Sequence, residues 1–270
     1  MANMRIGLIG CGNIASDICR AIHDRSISAE IVALCDINAS QAEMLRDTYQ
    51  LNALIGTIQD VVASVDLVVE CAGPSVVSHV VEAAMVYHID CLIMSVGGLL
   101  QDPSLLETAR ERGINLHVPS GAICGIDGIR NAMQAGLDEV TLTTRKPIKG
   151  LKGAPYLLCK GIELDGLTEA QVIFDGSARE AVKAFPNNVN VAATLSLAGL
   201  GADQTRVRVI ADPSATANTH EIRAKGAFGE LTVVISNLPS PRNPKSSYMA
   251  SLSACAEVAA AAKVFATRVS

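Results

Sequence analysis

One short segment near the N-terminus restricts the fold more than any other feature of this chain. Residues 4–10 form an apolar run that predicts a buried strand, and the motif Gly10-x-Gly12-x-x-Ala15 follows it directly. Helical spacing of apolar residues then begins at Ile14. A second apolar strand, residues 31–35, ends at Asp36, about 20 residues beyond the glycines. Strand, glycine loop, helix, strand and acid in this order predict a dinucleotide-binding unit.

Each position of the motif has a physical task in such a unit. Gly10 permits a tight turn between strand and helix, and Gly12 lets the backbone approach a pyrophosphate. Asn13 and Ile14 lie where a helix N-terminus presents N–H groups and partial positive charge to phosphates. Asp36 would accept hydrogen bonds from the adenosine ribose and repel a 2′-phosphate. The chain has no Arg directly after Asp36, so we expect NAD as the preferred cofactor, with NADP possible.

The alternation of short apolar strands with helices predicts an α/β fold. Up to Pro119 the chain reads as a Rossmann-type doubly wound parallel sheet, with helices on both faces. The predicted strands and helices of this part are strands 4–10, 31–35, 65–70, 90–96 and 114–118 and helices 14–23, 41–49, 76–87 and 103–112. We therefore predict a dinucleotide-binding domain over residues 1–119.

The pattern changes beyond Pro119 and predicts a second, α+β domain over residues 120–244 with a mainly antiparallel sheet. Residues 120–127 are predicted to open a helix that runs to about Ala135. The remaining elements are predicted as strands 139–146, 171–174, 205–210, 220–224 and 230–235, helices 177–184 and 189–200, and a hairpin turn at 226–229. An Ala-rich helix within residues 245–270 is expected to pack back on the first domain.

Composition excludes several classes of protein. The chain has 270 residues, of which 49% are hydrophobic and only 3% aromatic, and its formal net charge is −5. A mildly acidic chain is a poor match for nucleic acid. The longest uncharged stretch, residues 184–202, carries polar positions that argue against a membrane span. The eight cysteines lie singly, so we expect reduced thiols, no metal site and a cytoplasmic location.

A second candidate cofactor contact follows a later strand. Ala72, Gly73 and Pro74 come directly after the predicted strand 65–70. Ligands of open α/β sheets bind outside the carboxyl ends of the strands. These three residues are therefore candidates for the nicotinamide side of the cofactor. A simple strand-to-helix turn is the alternative.

Among the five histidines, His220 is the strongest candidate for catalysis. It lies in a polar segment, residues 212–220, that is predicted to be a loop entering a strand of the second domain. Loops on a rigid sheet often carry reactive groups, and imidazole exchanges protons near neutral pH. The alternative is a structural loop histidine. His117, at the end of a strand, could border the site.

Several segments together resemble one known family. They include residues 119–130 (Pro-Ser-Gly-Ala-Ile-Cys-Gly-Ile-Asp-Gly-Ile-Arg), 143–147, 174–182, 185–193, 212–222 and 237–244. In this order, and over nearly the whole chain, they resemble the L-aspartate dehydrogenase family. The motifs of the second domain are much more specific than the glycine loop.

The resemblance implies an NAD(P)-dependent homo-oligomer, a homodimer or homotetramer. Such an enzyme oxidises L-aspartate through iminoaspartate to oxaloacetate and ammonia, and also catalyses the reverse amination, with a link to NAD biosynthesis. The resemblance carries the catalytic role to His220 and a cofactor contact to Ala122. It carries a second cofactor contact to Asn190 or Asn188, a choice that stays open.

The two carboxylates of aspartate need cationic or N–H partners. Arg145 and Lys146 end a predicted strand and are candidates, although a solvated strand end is the alternative. Ser120 and Gly121, at the predicted helix start, could offer backbone N–H groups, and Thr219 a hydroxyl. The sequence does not choose among them.

Two other readings are compatible with the fold. One is a related two-domain reductase, similar to homoserine dehydrogenase or dihydrodipicolinate reductase, which should lack the Asn-Val-Asn-Val and Asn-Thr-His-Glu motifs together. The other is a non-catalytic NAD-binding sensor, which would bind the dinucleotide without turning over an amino acid.

Overall fold

The computed structural model describes residues 3–186, 190–243 and 246–268. The chain divides into two compact units. The first unit comprises residues 1–119 and 250–270, and the second comprises residues 120–249.

The first unit is built on a parallel sheet, which confirms the predicted fold class. Its strands, among the described residues, are β1 (Met4–Ile9), β2 (Ala29–Cys35), β3 (Leu54–Ile55), β4 (Leu67–Glu70), β5 (Asp90–Ile93) and β6 (Leu116–His117). They pair in the order β3-β2-β1-β4-β5-β6. The strand order reverses between β1 and β4, and the crevice outside their carboxyl ends is where open sheets of this kind bind ligands.

Helices cover this sheet because their apolar residues recur at helical spacing. They are α1 (Asn13–His23), α2 (Ala39–Thr48), α3 (Ile58–Val62), α4 (Val77–Tyr87) and α5 (Ser104–Glu111). Helix α3 was not predicted, because it is too short to show a period. Its signal is a capping box, in which Thr57 and Asp60 each bond the other's backbone N–H group.

The second unit contains a mixed sheet with helices. Its elements are α6 (Ile126–Ala135), β7 (Leu137–Pro147), α7 (Pro155–Lys160), β8 (Gln171–Ser177), α8 (Ala178–Ala184), α9 (Asn190–Ala198), β9 (Arg206–Asp212), β10 (Asn218–Gly226) and β11 (Gly229–Asn237). The strand order is β11-β10-β7-β9-β8. Three of the four pairings are antiparallel, as predicted, but β7 and β9 are parallel. The chain reaches β9 through α7, β8, α8 and α9, and a crossover of that length permits a parallel pair.

One face of the mixed sheet is covered by helix. Leu142 and Thr144 of β7 and Ile222 of β10 are buried on this face. Gly125, directly before α6, and Gly128 within it allow a close approach to β11, since a Cβ at Gly125 would lie 2.7 Å from Val233 and one at Gly128 3.3 Å from Leu231. On the other face the side chains are mostly polar and partly exposed. The sheet therefore has one sheltered face, on which a buried polar group can be held.

The last helix, α10 (Tyr248–Arg268), contributes to the first unit. Ala254, Val258 and Ala262 are buried in the same cluster as apolar residues of β1, β2 and α1. By length and composition alone this helix is apolar enough to cross a membrane. The core helix of a soluble protein passes the same test, and 28% of the apolar window of α10 is buried within the described residues.

One predicted helix start is wrong. Residues 120–125 form a turn and irregular segment, and α6 begins only at Ile126. Gly121 has φ +65° and Gly125 has φ +77°, a left-handed conformation that interrupts a right-handed helix. Ser120 and Gly121 are therefore not at a helix N-terminus.

Candidate active site

The two glycines of the loop after β1 have different surroundings. Gly10 has φ +92°, and a Cβ there would lie 2.6 Å from backbone atoms of Ala72. Gly12 caps α1, and a Cβ there would meet no atom within 4 Å. Gly10 is thus needed for packing between two loops, whereas Gly12 leaves open space at the start of the helix. That space, beside the N–H groups of a helix N-terminus, fits a pyrophosphate.

Asp36 lies at the end of β2 and holds the glycine loop. Its Oδ2 accepts a hydrogen bond from the Cys11 backbone N–H at 2.7 Å. Its Oδ1 accepts one from the Asn38 N–H at 2.8 Å. Each carboxylate oxygen has a second lone pair, so these bonds are compatible with ribose hydroxyl donors. Asp36 fits the role of the ribose acid and also supports the loop below the phosphates.

Asn13, the first residue of α1, is tied to the last helix. Its Nδ2 donates to Oδ2 of Asp17 at 3.3 Å and to Oγ of Ser251 at 3.2 Å. Ile14 follows on the same turn and is partly buried. The start of α1 is thereby anchored to α10, within the first unit.

The turn after β4 lies beside the glycine loop. Cys71 donates from Sγ to the Gly10 carbonyl at 3.0 Å. Gly73 has φ +146°, and Pro74 opens a short 3₁₀ turn, Pro74–Val76. The predicted nicotinamide-side residues Ala72, Gly73 and Pro74 are thus brought to the same sheet edge as Gly10.

His220 lies in a strand, as the predicted strand 220–224 implied, but that strand, β10, begins two residues earlier, at Asn218. His220 is the third residue of β10 and is 3% exposed. It lies opposite Thr144 of β7, and its Nδ1 is 3.1 Å from the Thr144 hydroxyl. The polar segment predicted as a loop instead continues the hairpin with β11 from Asn218 onward. The extra pairing explains why a polar sequence forms a strand here.

Lys146 shares the sheltered face with His220. It lies two residues beyond Thr144 on β7 and is 5% exposed. Burial lowers the pKa of Lys146 to about 8. Burial, followed by the charge of Lys146, lowers the pKa of His220 to about 3. At neutral pH the imidazole is therefore neutral and its protonated form is disfavoured.

Two predicted substrate contacts lie on the opposite face of the sheet. Thr219 pairs with Arg145 in the register of β10 and β7, and alternation directs both away from the His220 face. Arg145 donates from Nη1 to Oδ2 of Asp212 at 2.7 Å. Thr219 Oγ1 lies 3.4 Å from Ser236 Oγ. The structure does not bring Arg145 and Thr219 to His220. The side chains of residues 144 and 220 face the helices, and their neighbours Arg145 and Thr219 face the other side of the sheet.

Ala122 is held in place by a residue to which the sequence analysis gave no role. Its carbonyl accepts a hydrogen bond at 2.8 Å from Nδ2 of Asn237, the buried last residue of β11. The turn that contains Ser120, Gly121 and Ala122 is thereby tied to the end of the hairpin. Asn190 is the first residue of α9. Asn188 lies outside the described residues.

The sequence analysis also missed Glu70, Ser95 and Thr144. The alternation of buried and less buried residues along β7 could have indicated Thr144, which is buried and pairs with His220 on β10. Glu70 is signalled by an acid at the end of a wholly apolar strand. Among the described residues, no cluster of three or more His, Cys, Asp or Glu side chains has the geometry of a metal site.

Comparison with known families supports both halves of this description. Residues 127–261 match the profile of the aspartate dehydrogenase C-terminal domain. Residues 10–119 match the profile described as the homoserine dehydrogenase NAD-binding domain. The first unit is therefore a nicotinamide-dinucleotide-binding domain.

Comparison with whole proteins gives the same result. The L-aspartate dehydrogenase of Methanosarcina mazei is 49% identical over 256 residues, 93% of this chain and 94% of that protein. The L-aspartate dehydrogenase of Methanosarcina acetivorans is 48% identical over 255 residues. The crystal structure of aspartate dehydrogenase from Thermotoga maritima has the same fold, with a TM-score of 0.70 at 24% identity over 94% of each chain. By its full-length relatives and its C-terminal domain, this chain belongs to the aspartate dehydrogenase family.

Proposed function

We propose that this protein is an NAD-dependent L-aspartate dehydrogenase. It oxidises L-aspartate to iminoaspartate, which water converts to oxaloacetate and ammonia, and it also catalyses the reverse amination. One observation carries the proposal: the unit that matches the aspartate dehydrogenase profile holds a buried neutral histidine beside a buried lysine. The relatives support aspartate as the substrate.

The described residues of the first unit suit NAD better than NADP. Gly12 and the start of α1 would hold the pyrophosphate, and Asp36 would accept hydrogen bonds from the ribose hydroxyls. The 2′-phosphate of NADP would lie next to the Asp36 carboxylate, and the two negative charges would repel each other. The next two residues are Ile37 and Asn38, so neither is an arginine that could neutralise the phosphate. Ala72, Gly73 and Pro74 border the nicotinamide, and Ala122 with Asn190 or Asn188 supplies further contacts.

The chemistry requires a proton acceptor. When bound, the nicotinamide accepts a hydride from Cα of aspartate. The amine must give up a proton before Cα can lose a hydride, because an ammonium has no lone pair to form the C=N bond. His220 is neutral at neutral pH and takes this proton. Once it has released this proton to solvent, the same imidazole would activate the water that attacks the imine carbon.

The hydrogen bond to Thr144 decides which ring nitrogen acts. Nδ1 of His220 lies 3.1 Å from the Thr144 hydroxyl. For Nε2 to accept a proton, Nδ1 must carry the hydrogen and donate it to Oγ1 of Thr144. In the proposed mechanism Thr144 Oγ1 accepts this hydrogen and so holds the tautomer in which Nε2 is the base.

Lys146 has two roles in this proposal. Its ammonium is the cation that receives a substrate carboxylate on the His220 face, where Arg145 and Thr219 are absent. Its charge also lowers the pKa of His220. A bound dicarboxylate offsets that charge, so aspartate itself raises the basicity of the imidazole that must accept its proton.

The remaining features of the proposal follow the family. We propose a cytoplasmic homodimer or homotetramer without nucleic-acid or membrane partners. A link to NAD biosynthesis would run through the iminoaspartate that the enzyme forms. The profile name on the first unit favours one second candidate, a dehydrogenase that oxidises homoserine.

The test is NAD reduction by the purified protein at alkaline pH. L-aspartate, L-glutamate, L-alanine and L-homoserine are compared at equal concentrations, each with NAD and with NADP. We expect turnover with aspartate, and a higher kcat/KM with NAD than with NADP. Turnover with homoserine alone would support the second candidate. NADH binding without any turnover would indicate a sensor.

A further inference from the structure

The most completely enclosed acidic side chain of the first unit lies outside the chemistry described above. Glu70 ends β4 and is 0% exposed. Its Oε1 accepts hydrogen bonds from the N–H groups of Ala72 and Gly73 and from the Ser95 hydroxyl, each at 2.9 Å. Its Oε2 accepts one from the Ser95 N–H at 2.9 Å. Burial raises the pKa of Glu70, and these donors act in the opposite direction.

The bonds of Glu70 join two loops at the carboxyl edge of the sheet. Ala72 and Gly73 belong to the turn after β4, and Ser95 to the segment after β5. Each strand end is close to its neighbour, since Glu70 pairs with Ile93 in the parallel register. A carboxylate with two oxygens can hold both loops at once, which a hydroxyl or an apolar side chain cannot do.

The same turn supports the glycine loop. Gly10 packs so closely on Ala72 that a Cβ would lie 2.6 Å from the Ala72 backbone. On the other side, a Cβ at Gly98 would lie 2.7 Å from the Pro74 carbonyl. Residues 72–74 therefore lie between the phosphate loop and the segment after β5, and Glu70 accepts from the N–H groups of Ala72 and Gly73.

We propose that Glu70 is a positioning residue for the nicotinamide half of the cofactor. It holds Ala72, Gly73 and Ser95 in a fixed arrangement before the cofactor binds, and it does not touch the cofactor itself. Glu70 is 0% exposed and its carboxylate accepts four hydrogen bonds from the two loops, so its role is to hold the loops. The inference rests on the proposed function in one respect, the placing of the nicotinamide beside residues 72–74.

The substitution Glu70→Gln tests this role without changing the size of the side chain. The amide keeps one acceptor oxygen but puts an NH₂ group against an N–H or O–H donor, so at least one loop must move. Glu82→Gln is the control, because Glu82 is exposed on α4. Ser95→Ala removes only the hydroxyl donor and leaves the Ser95 N–H bond in place.

The measurement is the dissociation constant for NADH and for ADP-ribose, which lacks the nicotinamide. For Glu70→Gln we expect NADH binding to weaken about tenfold, the cost of one charge-assisted hydrogen bond. ADP-ribose binding should stay within about twofold of wild type, because its contacts lie at Gly12 and Asp36. Ser95→Ala should show a smaller change of the same kind, and Glu82→Gln none. The KM for NAD should rise in parallel.

Two results would overturn the positioning role of Glu70. A lower Tm with an unchanged ratio of the two constants would show that Glu70 only stabilises the fold. Equal weakening of both ligands would also overturn the positioning role. If Glu70→Gln does not fold, the ratio for Ser95→Ala decides. Wild-type protein that binds NADH but does not oxidise aspartate would refute the proposed function alone, and the ratio would still test Glu70.

Discussion

Two glycines in one loop can be required for different physical reasons. Gly10 is restricted by its φ of +92° and by the backbone of Ala72. Gly12 is restricted by nothing within the described chain, so its lack of a side chain matters only when a ligand is present. Their substitutions should therefore separate folding from binding.

We expect Gly10→Ala to lower the free energy of unfolding and Gly12→Ala to leave it nearly unchanged. The first places a methyl group against backbone in a left-handed conformation, at a cost of roughly 1–3 kcal/mol. The second fills the space that we assign to the pyrophosphate and should weaken NADH binding by at least about tenfold. Urea titration and NADH fluorescence measure the two effects. A Gly12→Ala protein that binds NADH normally would contradict the assignment of the phosphate site.

At the catalytic residue, His220→Asn should lower kcat by roughly 10²–10⁴-fold, the usual contribution of a general base. NADH affinity should be retained, because His220 is not among the residues that we assign to dinucleotide binding. Thr144→Val should lower kcat in part, because Nδ1 of His220 loses its hydrogen-bond partner and the tautomer is no longer fixed. Thr144→Ser keeps the hydroxyl and should be close to wild type. Initial rates at saturating L-aspartate measure both. Near wild-type turnover in His220→Asn would remove His220 from the mechanism.

At the scale of elements, the end of β2 determines both loop geometry and cofactor preference. Asp36 accepts a hydrogen bond from Cys11 in the glycine loop. We expect Asp36→Asn to narrow the preference for NAD over NADP by about tenfold, since it removes the charge that repels a 2′-phosphate. The ratio of kcat/KM values for the two cofactors measures this. Glu43→Gln, exposed on α2, is the control, and an unchanged ratio in Asp36→Asn would contradict the assignment.

The predictability of the elements followed their periodicity. Long apolar patterns predicted β1, β2, α1 and the hairpin of β10 and β11. The short α3 has no period, and its capping box was overlooked. The start of α6 was misplaced, because the left-handed glycines at 121 and 125 depend on backbone conformation. Sequence alone carries no signal for those angles.

The site was predictable where a residue type identifies the chemistry. Gly12, Asp36 and His220 were predicted in this way, and their roles stay predictions. Arg145 and Thr219 were chosen for their charge and hydroxyl, but their register places them on the opposite face from His220. Register across non-adjacent strands is set by the whole sheet and cannot be read from local pattern. For the same reason, Glu70 was not connected with Ser95, 25 residues away.

For the whole molecule, the buried His220 links stability to pH. Its pKa is lowered to about 3 in the folded protein, whereas an unfolded histidine titrates near 6.5. Between these values the unfolded state binds a proton that the folded state does not, so stability falls as pH falls below about 6.5. The slope from this one group is at most about 1.4 kcal/mol per pH unit.

We expect His220→Gln to flatten the fall in the free energy of unfolding between about pH 7 and pH 5. His79→Gln, exposed on α4, should leave it as in wild type. Urea titrations at several pH values measure the slope. An equal slope in wild type and His220→Gln would show that the imidazole is not buried in its neutral form.

The central claim, that Cα of aspartate gives up a hydride in this protein, is tested most directly by isotope transfer. The purified enzyme is supplied with NAD and L-aspartate deuterated at Cα, and the reduced cofactor is analysed by mass spectrometry. The account predicts that the wild-type enzyme forms NADH carrying deuterium at C4 of the nicotinamide. The His220→Asn variant should form much less of this product. Reduced cofactor without deuterium, or none with aspartate while homoserine reacts, would contradict it.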